Sequence, residues 1–345
     1  MSSGGFHFYS VLLSFARMKT VVITGGAGYV GSRVAKLLDE RGARVVVVDS
    51  VEPRVRGVDF SPSVEFRQAD LRESAQARRA FAGADIVLHL AADIGSLTYM
   101  HDHQAEILNN NSAIDASVYP AVLSNKVPWI IYSSSSMVFQ HPPQFPYTEA
   151  DIAKIHPPTN VYGFAKLIGE YFCRSYTAQH GLKHTIIRYH NIYGPGEDSK
   201  GASPGDIHVI PALLEKVISG QYPLEIIGSP KATRPFTYVD DAVRATVELV
   251  ERALRGDRTI ENEDFNIGND RYYTILELAE IIWRKYGDGR PFSFVEVPTT
   301  ANTALRREVD IAKIRTRVGW QPTVTLEEGL EPTAEWIKTR LGKRP

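Results

Sequence analysis

Residues 20–41, TVVITGGAGYVGSRVAKLLDER, restrict the fold more than any other part of this 345-residue chain. A short apolar run ends at Gly25, and Gly28 and Gly31 follow at spacing three. Apolar Val34, Leu37 and Leu38 then recur at helical spacing. The pattern is a buried strand that turns at once into a helix. Gly25 permits the tight turn, Gly28 lets a diphosphate approach the backbone, and Gly31 lets the helix pack closely on the strand. The open N–H groups and positive dipole end of the helix, at Tyr29 and Val30, suit phosphate. Asp49 closes the next apolar run, 18 residues beyond Gly31. A carboxylate there accepts hydrogen bonds from a ribose diol and repels a 2′-phosphate, which favours NAD over NADP. Arg54 and Arg56 stand close enough in sequence to oppose that preference.

Further apolar runs alternate with helical patterns: strands are expected near 43–50, 64–71, 84–92, 128–136 and 184–194, helices near 104–125 and 162–181. The run ARVVVVDS is continuous rather than alternating, as in a parallel strand covered on both faces. This rhythm predicts an α/β fold with a doubly wound parallel sheet. After Gly194 the texture changes to PGEDSKGASPGD, a loop over a site. Short strands and helices follow, read as a smaller C-terminal α/β substrate domain. The expected division is an extension over 1–17, a cofactor domain over 18–191 plus about 235–268, and a substrate domain over about 192–234 plus 269–345. Residues 1–17 lack the basic start and cleavage site of a secretory signal, and MKTVVITGG from Met18 reads as a natural beginning. No stretch has the length and apolarity of a membrane span.

The formal net charge is −1 and the basic residues are dispersed, so no nucleic-acid surface is expected. Cys173 is the single cysteine, which rules out an internal disulfide and fits a reducing, cytoplasmic setting. The histidines have no metal-ligand spacing, so no metal is expected. His89 lies inside an apolar run and is read as a packed residue. Asp240 and Asp241 are read as caps of the following helix.

Tyr162 and Lys166 stand four apart on a predicted helix and share a face. A free phenol has a pKa near 10, too high for a base at neutral pH, and a neighbouring ammonium lowers it. Lys166 can supply that charge and also hold a nicotinamide ribose. Ser135, ending the fifth apolar run, can hydrogen-bond the same substrate oxygen.

These motifs, with ADL at 69–71, HLAA at 89–92, RYHNIYGPG at 188–196 and RPFTYVDDA at 234–242, run in one order along the chain. In that order they resemble an extended short-chain dehydrogenase/reductase of the nucleotide-sugar epimerase/dehydratase group. The resemblance implies a Rossmann-like fold, bound NAD, a nucleoside-diphosphate sugar as substrate, and a homodimer formed through the two long helices. It also implies roles. Ser135, Tyr162 and Lys166 would be catalytic. Asp70 and Leu71 would edge the adenine. Leu90, Ala91 and Ala92 would line the diphosphate and ribose path, with Asn111 in the next helix. Ser136, Met137, Asn191, Lys200, His208, Val209, Arg234 and Arg307 would face the substrate.

Position 137 separates the chemistries. Similar 4,6-dehydratases and uronic-acid decarboxylases carry a glutamate there, and similar GDP-mannose 3,5-epimerases a proton-moving cysteine. Stretches such as AADIGSLTY and GWQPTVTLEEGL resemble the 3,5-epimerases. Yet Met137 has no proton to exchange, and Val209 falls where that group has a lysine. The remaining apparatus of NAD, Ser135, Tyr162 and Lys166 suits a 4-epimerase. The alternatives are a 3,5-epimerase or 4,6-dehydratase using atypical residues such as His208 or Lys200, or a 4-keto-sugar reductase.

Overall fold

The computed structural model describes residues 18–95, 97–197, 208–298 and 304–343. Residues 1–17 and Lys200 lie outside the described residues. The strands are β1 (Thr20–Thr24), β2 (Arg44–Asp49), β3 (Glu65–Gln68), β4 (Ile86–His89), β5 (Trp129–Ser135), β6 (Lys183–Tyr189), β7 (Ile192–Tyr193), β8 (Leu224–Ile227), β9 (Thr233–Pro235), β10 (Thr237–Tyr238), β11 (Glu263–Ile267), β12 (Tyr272–Thr274) and β13 (Phe294–Val297). The helices are α1 (Tyr29–Glu40), α2 (Ser74–Ala80), α3 (Leu97–Asp102), α4 (Gln104–Ser124), α5 (Val161–His180), α6 (Val209–Ile218), α7 (Val239–Leu254), α8 (Ile275–Tyr286), α9 (Ala312–Val318) and α10 (Leu326–Arg340).

Seven strands form one sheet in the order β11-β6-β5-β4-β1-β2-β3, every neighbouring pair parallel. Alternation along each strand divides the apolar side chains between two cores. Val21, Ile23, Val45, Val47, Ile86 and Leu88 face one core, which α1 and α7 cover with Val34, Leu38 and Val243. Val22, Val46, Val48, Val87 and Ile130 face the other, covered from α2, α4 and α5 by Ala77, Val118, Val122 and Cys173. Both faces are dry, which is why these strands read as continuous apolar runs. No described helix is long and apolar enough to cross a membrane.

Gly31 shows why the first helix starts where it does. A Cβ there would press on the Gly25 carbonyl oxygen and lie 2.8 Å from Gly26 Cα, both backbone atoms that cannot step aside. The chain after β7 builds a smaller layer: α6 packs on α8 and α10, and β8 pairs with β13. Asp241 corrects an expectation. It does not cap α7, whose N-cap is Tyr238; its carboxylate instead accepts from Thr323 N and Val324 N, both at 3.0 Å. Two backbone donors from the C-terminal segment hold it more strongly than its own helix end does.

Candidate active site

One cavity of about 1150 Å³ runs along the carboxyl ends of β1, β2, β4, β5 and β6 and under α6. At one end lies the glycine turn, with Gly25, Gly28, Tyr29, Val30 and Gly31 in its wall. The only atom near a Cβ built at Gly28 is the Gly25 carbonyl oxygen, so the backbone there is bare toward the cavity. No side chain caps α1, which leaves first-turn N–H groups for a ligand. Asp49 is buried, with Oδ2 accepting from Ala27 N at 3.2 Å and Oδ1 from Val51 N at 3.1 Å. Arg56 reaches the same carboxylate at 3.4 Å and also lines the cavity, whereas Arg54 does not. Asp70, Leu71, Leu90, Ala91 and Ala92 continue the wall. A bare glycine turn, uncapped helix amides and an acidic residue at the strand end fit a dinucleotide with a free ribose diol.

Asn111 is expected in this wall but does not line the cavity. Its side chain is occupied by the main chain: Oδ1 accepts from Asp93 N at 2.9 Å, and Nδ2 donates to the carbonyls of Asp93 and Ile107, each at 2.9 Å. It pins the segment after β4 to α4.

The middle of the cavity holds Ser135, Ser136, Met137 and Tyr162. Gly163 brings them together, since a Cβ there would collide with the Met137 carbonyl and push α5 away from the end of β5. Asn160 caps α5 by accepting from Gly163 N at 2.9 Å, which fixes the first turn that carries Tyr162. Burial pushes the Tyr162 phenol above the usual tyrosine value, and its hydrogen bond with the Ser135 hydroxyl works the other way. Lys166 is buried behind Tyr162 rather than in the cavity wall. Its Nζ donates to the Ser133 carbonyl at 2.7 Å and lies 6.0 Å from the centre of the Tyr162 ring. Burial lowers the Lys166 ammonium to about 8, opposed by the Asp115 carboxylate. The acidification expected from this ammonium does not show in the phenol, whose shift comes from burial and the Ser135 hydrogen bond; the amine is turned toward the Ser133 carbonyl.

At the far end stand Asn191, Arg234, Arg307, His208 and Val209. Asn191 has φ +44°, a left-handed conformation that asparagine tolerates better than most residues, and its buried Oδ1 has no partner among the described residues. Arg307 donates to Met137 Sδ at 3.0 Å. Burial lowers the Arg234 guanidinium to about 9, helped by repulsion from Arg307, and burial also lowers Arg307. Among the described residues neither arginine is ion-paired to a carboxylate. Two guanidiniums, Arg234 buried and Arg307 half-buried, facing one cavity have the charge and geometry that suit a doubly charged group such as a diphosphate.

Glu197 carries no signal in the sequence. It joins His208, Oε1 to Nδ1, and its other oxygen is buried with no partner among the described residues. Burial pulls the His208 imidazole down, but the Glu197 charge and hydrogen bond outweigh it and leave the value raised. Nothing in the sequence announces this pair, because its members stand eleven positions apart on either side of the loop. His89 is packed as expected but also partnered, through Nε2 to Asp115 Oδ1 at 3.0 Å. Among the described residues no cluster of metal-ligating side chains occurs.

Comparison with known proteins extends these observations. The model of the NAD dependent epimerase/dehydratase family matches residues 21–268. GDP-mannose 3,5-epimerase 1 of Oryza sativa subsp. japonica is 29% identical over 329 residues, covering 94% of this chain and 82% of that protein. A putative UDP-glucose 4-epimerase of Methanocaldococcus jannaschii is 27% identical, covering 92% of this chain and 98% of that protein. Among solved structures, the UDP-glucose 4-epimerase of Thermotoga maritima, determined with UDP-glucose, superposes with a TM-score of 0.80 at 27% identity, covering 93% of this chain and 99% of that one.

Proposed function

Because the chain belongs to the NAD dependent epimerase/dehydratase family, and is thereby an enzyme that uses NAD, we propose that its reaction is the 4-epimerisation of a nucleoside-diphosphate sugar. The observation that carries this reading is Met137 beside Ser135 and Tyr162 in the cavity, held by Arg307 through its sulfur. A thioether can neither take nor give a proton, so the carbons flanking C4 lack the acid/base group that dehydration or 3,5-epimerisation would place there.

The roles follow the cavity. Asp49 holds the adenosine ribose, and the amides of Tyr29 and Val30 meet the cofactor diphosphate. Arg234, Arg307 and Asn191 hold the sugar diphosphate and leave the hexose beside Tyr162. The NAD held by these residues would supply the hydride acceptor and donor for the sugar C4. Tyr162 removes the C4 hydroxyl proton as that carbon is oxidised, and Ser135 hydrogen-bonds the same oxygen. Lys166 supplies positive charge behind the phenol. The 4-keto sugar rotates so that the opposite face of C4 would take the hydride back, and Tyr162 returns its proton to the C4 oxygen. The division between cofactor and substrate segments at residues 191–192, 234–235 and 268–269 belongs to the same proposal.

A second reading, 3,5-epimerisation, is favoured by one observation: the Glu197–His208 pair gives the cavity a titratable imidazole. The two readings separate by product. The purified protein is denatured and its released cofactor identified by mass; native protein is then incubated with UDP-, GDP-, CDP- and TDP-hexoses, and products are identified by NMR. A C4 epimer formed without net consumption of added cofactor supports the proposal. A C3 or C5 epimer, a 4-keto-6-deoxy sugar, or stoichiometric oxidation of NADPH overturns it.

A further inference from the structure

Behind the cavity lies a buried polar chain for which the reaction above gives no role: Thr24, His89, Asp115 and Tyr132, each at most 3% exposed. Thr24 immediately precedes the glycine turn. Its Oγ1 accepts from Leu90 N and Ala91 N, both at 3.2 Å, and lies 2.7 Å from His89 Nδ1. Leu90 N also donates to the Thr24 carbonyl at 3.1 Å. On its other side, His89 Nε2 lies 3.0 Å from Asp115 Oδ1, so the ring joins the turn to that carboxylate.

Asp115 is a carboxylate in an apolar interior, a place where a charge calls for a nearby cation. Tyr132 lies between Asp115 and Lys166, its hydroxyl 3.4 Å from Asp115 Oδ2 and 3.5 Å from the Lys166 carbonyl. The Lys166 ammonium lies 5.0 Å from the centre of the Tyr132 ring. Gly169 allows this approach, since a Cβ there would lie 2.7 Å from Asp115 Oδ2. The other groups packed around these residues do not compete. On α5, Glu170 is bound by Arg188 and Ser134, and Cys173 and Tyr162 are pushed toward their neutral forms by burial. On α4, Tyr119 is likewise kept neutral by burial.

We propose that Asp115 is the counter-charge of Lys166, a positioning residue that keeps the ammonium protonated behind Tyr162 and that is tied through His89 and Thr24 to the turn holding the cofactor. The inference rests on the role given above to Lys166. It assigns Asp115 no contact with substrate or cofactor.

The test reads the lysine directly. Protein labelled with ¹³C at lysine Cε is titrated by NMR, with Lys166→Arg used to assign the resonance. In Asp115→Asn the Lys166 midpoint is expected to fall by roughly one pH unit, as for loss of one nearby opposite charge. An unchanged midpoint overturns the proposal. The alkaline limb of the pH–rate profile is expected to move down by the same amount. If the NMR midpoint moves and the limb does not, the counter-charge assignment stands and the catalytic role of Lys166 falls. A second variant keeps the charge: Asp115→Glu is expected to leave the Lys166 midpoint near the wild-type value, and a midpoint as low as that of Asp115→Asn overturns the proposal.

Discussion

Tyr162 and Ser135 stand together in the cavity wall, yet burial leaves the phenol harder to ionise than a free one. Any phenolate therefore depends on charge brought close when the site fills. Replacing Tyr162 by Phe removes the proton carrier and little volume; kcat is expected to fall roughly 10²- to 10⁴-fold with NAD still retained, as measured by turnover and cofactor content. Arg307→Ala is expected to raise KM for the nucleotide sugar roughly tenfold to a hundredfold, because a charge-assisted contact to phosphate is lost, with little change in NAD content. At this scale the sequence is legible where the signal is local. Tyr162 and Lys166 share a helix face by their spacing, and Ser135 ends an apolar run that reads as a strand. Glu197 and His208 are eleven positions apart, and Asp115 gains meaning only when α4 lays it beside β4 and β5. No spacing along the chain encodes those meetings.

The elements were legible for a related reason. Strands dry on both faces are continuous apolar runs, and β1 to β6 appear close to the expected positions. The ends differ: the run 64–71 supplies a strand only at Glu65–Gln68, and the run 184–194 breaks into β6 and the two-residue β7 where Asn191 takes positive φ. β11, which completes the sheet beside β6, spells EDFNI and carries two carboxylates. Those carboxylates are held by Arg188, Lys313 and Arg317, so the strand's burial rests on ion pairs that no apolar run reveals. The β1–α1 turn permits a test of its own. Gly31→Ala sets a methyl against the backbone of residues 25 and 26, and is expected to cost about 1–3 kcal/mol in thermal unfolding and to reduce bound NAD. An unchanged Tm with full NAD content would mean that the close approach of α1 to the turn is not required.

Across the whole molecule, the glycine turn and the paired arginines line one cavity, and β7 to β10 carry the chain between the sheet and the smaller layer. Two buried histidines on and after β6 oppose protonation of the fold. Burial lowers His184 to about 4 and His190 to about 3, whereas an unfolded histidine titrates near 6.5. Below that value the unfolded chain binds protons that the folded chain refuses, so stability falls as pH drops from about 6.5 toward 4. Thermal melts across that range are expected to show a declining Tm, and His184→Asn to flatten the decline. The family, the sheet and the NAD site follow from motifs spread over most of the chain. The reaction depends on a few side chains at one end of the cavity, and there the sequence kinship with 3,5-epimerases and the thioether at position 137 point to different chemistries. Solvent isotope decides between them. In heavy water, with a nucleotide hexose that the enzyme turns over, the account predicts a C4 epimer that keeps every carbon-bound hydrogen; deuterium appearing at C3 or C5 would contradict it.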